Sequence, residues 1–249
     1  MEAPNRALNI SSPYVAFHFD DITVMFLLWV LVLQPAAAWH GYRRIARGEP
    51  LGSKVYRFRL SFYVILFSTL MALALAVARP LALPWAASAS SFTLGLMFSA
   101  AFVIAVTRKR KKVDPAQQER IRLLYAPTST TEWILALWVG LCAGVGEEIV
   151  YRAVLFQIIA EVTSSATVAL LVCVLAFALA HLPQGTRGAY GIALIGVCFH
   201  ILYFVSGGLL APIVAHATYD MAIFTVFYRR EIQSARSIVL PQTMEQTVP

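Results

Sequence analysis

The sequence predicts an all-α fold, a polytopic transmembrane helical bundle of about seven spans. Apolar residues make up 59% of the chain and charged residues only 13%, far below the share of about 25% that is typical of soluble proteins. Apolar runs of roughly 20 residues, the length needed to cross a bilayer, recur along the chain. The expected spans are 22–39, 60–78, 89–107, 132–160, 164–182, 190–205 and 209–228.

The positions of the basic residues predict how the bundle is oriented. With seven spans and the amino terminus outside, 17 of the 20 lysines and arginines fall on the inner side and two on the outer side, with Arg152 inside the membrane. Loops on the cytoplasmic side collect Lys and Arg. The carboxyl terminus is therefore expected in the cytoplasm, and the net charge of +7 is explained without nucleic-acid binding.

The polar segments divide the chain without forming a soluble domain. We expect three amino-terminal spans with basic cytoplasmic loops over 1–127, a helical core over 128–230 that holds the chemistry, and a polar tail over 231–249. The three cysteines lie inside apolar runs and form no CxxC pair, which favours small buried residues over redox or metal sites: Cys142, Cys173 and Cys198.

The fourth apolar run carries three ionisable residues within six positions. Glu147, Glu148 and Arg152 each cost about 2.5–3.5 kcal/mol at membrane depth. Glu148 and Arg152 are four residues apart on one helix face and can pair, which leaves Glu147 as the spare, reactive carboxylate. Small residues at 140, 144 and 146 would allow another helix backbone to approach closely.

Two later spans add further ionisable groups. The fifth span ends at His181, one turn after Phe177, and the seventh span holds His216 and Asp220 on one face. Two chemistries fit this set. Glu and His could hold a divalent metal such as zinc with an open position for water. Alternatively, a Glu–His pair could activate water directly while other donors face the developing oxyanion. Both would hydrolyse an acyl bond, most naturally a peptide.

These three patterns, EExxxR at 147–152, FxxxH at 177–181 and HxxxD at 216–220, resemble the signature motifs of the CAAX protease and bacteriocin-processing (Abi) family of intramembrane proteases. The resemblance covers roughly 132–228 and implies an intramembrane endopeptidase. It implies that Glu147 and His181 activate water and that His216 and Asp220 stabilise the oxyanion. It gives Glu148, Arg152 and Phe177 supporting roles; a metal mechanism would use Glu147, His181 and His216 as ligands.

The third motif departs from the family pattern at Asp220, where asparagine is usual. An ionised aspartate cannot donate a hydrogen bond to an oxyanion. Asp220 could be held protonated in an apolar site, or it could orient His216 and increase its basicity.

The depths of the two water-activating residues conflict. Along ideal spans, Glu147 lies outward of the membrane centre and His181 lies near the inner end, a mismatch on the order of 20 Å at 1.5 Å per residue. We therefore expect the fourth helix to be long and to begin well inside the cytosolic interface, or the loop at Pro183 to enter the bundle.

The implied partners are the lipid bilayer and a membrane-anchored protein or peptide substrate, and the expected location is a bacterial inner membrane. Two alternatives remain. Glu147 and Asp220 could be proton sites of a coupled transporter, although the paired repeats common in transporters are not visible. The chain could also be a non-catalytic bacteriocin-immunity protein. His200, in the sixth span, matches no motif and is expected to be a packed or hydrogen-bonded histidine.

Overall fold

The computed structural model describes residues 20–85, 87–109 and 115–245. It is 86% helical, with no strand among the described residues. The amino-terminal segment 1–19 and the basic residues at 110–112, on which the predicted orientation partly depends, lie outside this part of the chain. The orientation of the termini therefore stays a prediction.

The described chain is a series of helices joined by short connections. Two helices contain a π-helical turn, Trp29–Leu33 in the first and Ile149–Leu155 in the fifth, and a 3₁₀ turn, Leu182–Gln184, joins the sixth and seventh. The helices are α1 (Asp21–Ala46), α2 (Lys54–Ala78), α3 (Ala89–Lys109), α4 (Pro115–Tyr125), α5 (Thr130–Thr163), α6 (Ala166–Ala180), α7 (Thr186–Ser206) and α8 (Leu210–Glu245).

The predicted transmembrane helical bundle is confirmed. Within the described residues, six helices are long and apolar enough to cross a membrane: α1, α2, α3, α5, α7 and α8. The predicted fifth span corresponds to α6, which has only 15 residues and reaches about 22 Å at 1.5 Å per residue. The chain is an integral membrane protein with six full-length candidate spans and one short apolar helix.

Helix α5 is the central helix of the bundle, because half of the residues in its most apolar 18-residue stretch are buried inside the protein. It contacts α8 and α2 extensively, and α8 in turn packs along α3. The start of α5 is fixed by a reciprocal cap. Ser129 accepts a hydrogen bond from the Glu132 N–H, and the Glu132 carboxylate accepts one from the Thr128 N–H at 2.8 Å.

The length of α5 confirms the expectation that the fourth span would be long. Its 34 residues extend about 51 Å, well beyond the about 30 Å of a bilayer core. Glu147 lies near the middle of this helix, and both His181 and Pro183 line the same cavity as Glu147. A long α5 and a short α6 thus bring the two predicted water-activating residues to one cavity.

The expected close approach at the glycines of α5 is confirmed. A Cβ atom added to Gly144 would lie 2.5 Å from the Ala217 backbone nitrogen on α8, and one added to Gly140 would lie 3.0 Å from the Asp220 Cβ. The two helices can meet at this distance only because these positions have no side chain. The same contact brings the ionisable groups of α5 and α8 together.

Replacing Gly144 by alanine should therefore separate α5 from α8. We expect a loss of about 1–3 kcal/mol in unfolding free energy, because the added methyl group meets backbone that cannot yield. Thermal unfolding in detergent measures the loss. Gly191→Ala is the matched control, because no atom lies within 4 Å of a Cβ at Gly191. Equal stability of the two variants would contradict the packing described here.

Candidate active site

A cavity of about 610 Å³ lies between α1, α2, α5, α7 and α8. Most of its lining side chains are apolar, and a few polar groups converge on it, which is the usual composition of a ligand site. The four residues that sequence analysis gave catalytic roles all line it: Glu147, His181, His216 and Asp220.

The Glu147 carboxylate faces this cavity without a strong partner. Its Oε2 atom is buried and makes no hydrogen bond within the described part of the chain. The Nε2 atom of His216 lies 3.8 Å from Glu147 Oε2. This distance is too long for a direct hydrogen bond. A carboxylate left unsatisfied in an apolar cavity is costly, and a water molecule between it and the imidazole would satisfy both.

The neighbouring Glu148 is used differently. It is fully buried, and its Oε1 atom lies 3.1 Å from the Arg152 Nη1 and 2.8 Å from the His216 Nδ1. A carboxylate paired with arginine only accepts hydrogen bonds, so the His216 Nδ1 carries a proton and donates it. Glu148 therefore fixes the ring of His216 and directs its Nε2 atom towards the cavity.

The Nε2 atom of His216 lies between two further carboxylates. Glu147 Oε2 is 3.8 Å away and Asp220 Oδ2 is 3.7 Å away. Glu148 already orients the ring through Nδ1, so Glu148 performs the orienting role that was considered for Asp220. Asp220 lies at the cavity wall, beside Nε2, the nitrogen of His216 that can reach a bound molecule.

Aromatic rings hold the buried arginine. The Arg152 guanidinium lies 4.7 Å from the Phe177 ring centroid and 5.3 Å from that of Phe199, distances at which a cation is attracted to a ring face. Phe199 also packs on the His216 ring with centroids 5.1 Å apart. The charged residues are therefore fixed by packing as well as by ion pairing.

His181 follows the last residue of α6, where the helix ends. Its Nδ1 atom lies 2.8 Å from the Phe177 carbonyl oxygen, and a carbonyl only accepts, so Nδ1 carries the proton. In the neutral ring, Nε2 then has the free lone pair. The Phe177 ring packs against the imidazole with centroids 4.7 Å apart. Phe177 thus contacts His181 through both its backbone and its side chain.

The three predicted metal ligands, Glu147, His181 and His216, all line the cavity. Among the described residues, no group of three or more His, Cys, Asp or Glu side chains could hold a metal ion. The contacts of His216 do not argue against a cation, because a metal-ligating histidine usually bonds a carboxylate through its other nitrogen, as Nδ1 does here with Glu148. Its Nε2 atom, 3.8 Å from Glu147 Oε2, remains available to a bound molecule. The metal mechanism therefore stays a prediction.

The cavity lining also carries two basic side chains, Arg44 and Arg57, together with Tyr125. Burial raises the pKa of the Tyr125 hydroxyl to about 12, and a hydrogen bond with Gln184 opposes that shift. The hydroxyl therefore stays protonated at neutral pH and can donate.

Sequence reasoning missed three features of the site. The bond between Glu148 and His216 joins residues 68 positions apart, and the packing of Phe199 on His216 has no motif that would reveal it. Gln34 on α1 also reaches the cavity wall and accepts a hydrogen bond from Tyr151; a polar side chain in an apolar span was its only signal. His200 is buried and bonded to the Gly196 carbonyl, which confirms it as a packed, hydrogen-bonded histidine.

A family model described as Type II CAAX prenyl endopeptidase Rce1-like matches residues 129–222. The matched segment begins at the cap of α5, ends after Asp220 and contains all three motifs. This match confirms the resemblance inferred from the motifs and points to a family of membrane-embedded proteases. It does not distinguish a glutamate from a metal mechanism. No curated protein and no solved structure matches the chain.

Proposed function

We propose that the chain is an intramembrane endopeptidase that hydrolyses membrane-associated proteins or peptides with water activated by Glu147 and His181. The observation that carries the proposal is the buried Glu147 Oε2, which has no hydrogen-bond partner among the described residues and lies in a cavity shared with two imidazoles. A carboxylate with no internal partner, beside fixed bases and donors, is the arrangement expected of a general base.

The first chemical step is the attack of water on the scissile carbonyl carbon. Glu147 accepts one proton from the water, and the free lone pair of the His181 Nε2 accepts the hydrogen bond of the other. As the C–O bond forms, the carbonyl becomes a tetrahedral oxyanion. Protonated Glu147 then transfers the same proton to the leaving nitrogen, and the C–N bond breaks. Glu147 returns to its ionised form.

The oxyanion requires donors that are in place before the reaction. Asp220 in its protonated form is one donor. In its doubly protonated form, His216 is the second and donates through Nε2–H while Glu148 supplies the counter-charge. The bond from Nδ1 to Glu148 fixes the direction of this donor. Arg152 keeps Glu148 ionised through their ion pair and takes no direct part in the reaction.

The substrate we infer is anchored in the membrane and enters the cavity as an extended segment. The cavity volume of about 610 Å³ lies within the range of about 300–1,000 Å³ usual for ligand sites. The lining is largely apolar, which suits a lipid-anchored or transmembrane segment better than a charged soluble peptide. We place the protein in a bacterial inner membrane, in peptide maturation or in self-immunity to bacteriocins.

A cleavage assay in proteoliposomes tests this function. Purified wild type is incubated with a panel of lipid-anchored peptides and with the same peptides lacking the anchor, and the products are identified by mass spectrometry. We expect cleavage at an internal peptide bond, with the anchored peptides preferred. Absence of any cleavage, together with pH-driven flux across the same vesicles, would instead identify a transporter.

Asp220 provides a separate test of the oxyanion site. Asp220→Asn should keep activity within about threefold of wild type or increase it, because the amide donates whatever the pH. Asp220→Ala should lower kcat by about 10²–10³-fold, the usual cost of one oxyanion donor. Rates on the best-cleaved anchored peptide measure both effects. If Asp220→Asn were as inactive as Asp220→Ala, Asp220 would act as a base or counter-ion instead.

A further inference from the structure

A chain of hydrogen bonds links α1 and α2 to the catalytic helix at the cavity wall. The Tyr151 hydroxyl donates to the Gln34 Oε1 at 3.2 Å, and the Gln34 amide donates to the Ser68 Oγ at 2.7 Å. The Trp29 indole donates to the same Ser68 oxygen at 2.9 Å. All four residues line the cavity. We call them the polar wall.

The polar wall has two hydrogen-bonding positions left over. The amide of Gln34 has two N–H groups, and only the bond to Ser68 uses one among the described residues. The oxygen of Tyr151 gives its hydrogen to Gln34 and keeps its acceptor capacity. By contrast, Ser68 accepts two bonds and donates its hydrogen to the Val64 carbonyl. A donor and an acceptor therefore remain side by side on Gln34 and Tyr151.

The position of this pair relative to Glu147 suits an extended substrate. Tyr151 follows Glu147 by four residues on α5, about 6 Å along a helix axis, which equals about two residues of an extended chain. A π-helical turn, Trp29–Leu33, directly precedes Gln34, and such turns are frequent at functional sites. Gln34, outside the matched family segment, and Tyr151, within it, thus offer polar groups at a distance of about two extended substrate residues from Glu147.

A peptide that unfolds inside an apolar cavity has to satisfy its own backbone groups. Each unpaired N–H or C=O at membrane depth costs several kcal/mol. One peptide unit offers one acceptor and one donor, which complement the free Gln34 N–H and the free Tyr151 oxygen.

We propose that Gln34 and Tyr151 form a backbone-binding subsite that holds one peptide unit of the substrate about two residues from the scissile bond. The substrate carbonyl accepts from the Gln34 amide, and the substrate N–H donates to the Tyr151 hydroxyl. The role of this subsite rests on the proposed function. Because it binds the peptide backbone, it does not select for the substrate side chain at that position. Helix α1, outside the matched family segment, thereby takes part in substrate binding.

The test measures binding separately from cleavage. The full-length Glu147→Gln protein in liposomes serves as the parent, and the probe is a palmitoylated, fluorescent decapeptide of alternating alanine and leucine. A series of probes replaces one amide at a time with an ester, which removes a single N–H. Tyr151→Phe keeps the ring that packs on Phe177 and removes only the hydroxyl. Gln34→Leu removes the amide.

We expect each variant to weaken binding of the all-amide probe by about fivefold to tenfold, the net value of a hydrogen bond or two. One ester position should weaken binding to the parent by a similar factor. In Tyr151→Phe, the same ester should bind as well as the all-amide probe does. This loss of additivity identifies a direct bond. Two matched controls, Gln157→Leu and Tyr63→Phe, lie outside the cavity lining and should bind as the parent does.

A purely structural polar wall gives a different result. In that case the variants would lower the unfolding temperature, and every ester would cost the same in Tyr151→Phe as in the parent, which would overturn the subsite. Absence of probe binding to the parent would also overturn it. Cleavage by wild type with additive ester effects would refute the subsite alone. Coupled ester effects without any cleavage by wild type would refute the protease and leave the subsite standing.

Discussion

Glu147→Gln should lower kcat/KM for peptide cleavage by about 10²–10⁴-fold, the contribution of a general base. Glutamine keeps the shape of the side chain and cannot accept the proton of the attacking water. Because Glu147 Oε2 has no hydrogen-bond partner among the described residues, its charge contributes little to the fold. Removal of an unpaired buried charge should leave the unfolding temperature unchanged or raise it slightly.

Glu161→Gln is the matched control for this experiment. Glu161 lies on the same helix, but its side chain is 43% exposed and faces Arg79 at 3.4 Å. Its neutralisation should keep the rate within about twofold of wild type, because exposed ion pairs are worth little. Initial rates with a quenched fluorescent anchored peptide compare all three proteins. Equal rates for wild type and Glu147→Gln would remove Glu147 from the chemistry.

Arg152→Met should destabilise the protein by about 3–5 kcal/mol, the cost of leaving one partner of a buried ion pair alone. Both Arg152 and Glu148 are 0% exposed, so Glu148 would lose its arginine counter-charge inside the bundle and keep only the hydrogen bond from His216. The variant also loses the contacts with the rings of Phe177 and Phe199. For a chain of this size the unfolding temperature should fall by on the order of 10 °C.

Two further variants separate the charge effect from simple loss of packing. Arg47→Met removes an exposed arginine, 52% exposed and paired with Glu49, and should cost less than about 1 kcal/mol. The double variant Glu148→Gln/Arg152→Met should recover part of the lost stability, because no unpaired charge remains. Thermal unfolding in detergent measures each protein. A single variant no less stable than Arg47→Met would contradict the buried ion pair.

Patterns that are local in sequence predicted much of this site. The four-residue spacing of Glu148 and Arg152 predicted their pairing, and their atoms lie 3.1 Å apart. The glycines of α5 predicted a close helix contact, which α8 makes at Gly144. Helix periodicity fixes such neighbours before any tertiary contact forms. For the same reason the bundle of apolar spans was predictable from run lengths alone.

Contacts between distant segments could not be predicted in this way. Glu148 bonds to His216 across 68 residues, and Tyr151 bonds to Gln34 across 117. Which helix faces which depends on packing, and the π turn Ile149–Leu155 changes the faces that α5 presents beyond Glu148. Sequence reasoning therefore gave Glu148 one partner where the fold provides two.

Helix ends were also misjudged in the apolar runs. The fifth span was expected over 164–182, but α6 covers only Ala166–Ala180. Ser165 caps its start, and His181 leaves the helical conformation at φ −98° and ψ 9°. A hydropathy pattern does not reveal such local hydrogen bonds and turns, because the apolar stretch of sequence continues through Leu182. Because the helix ends at Ala180, His181 lies at the wall of the cavity that Glu147 also lines.

Peptide cleavage after exhaustive chelation, measured side by side for wild type and Glu147→Gln in the same proteoliposomes, is the most direct test of water activation by Glu147. Wild type should cut the anchored peptide at an unchanged rate with all divalent metal removed, and Glu147→Gln should cut it about 10²–10⁴-fold more slowly. Loss of wild-type cleavage on chelation with recovery on added zinc would show that a metal ion takes part in activating the water, and equal cleavage by the two proteins would show that this carboxylate is not the base.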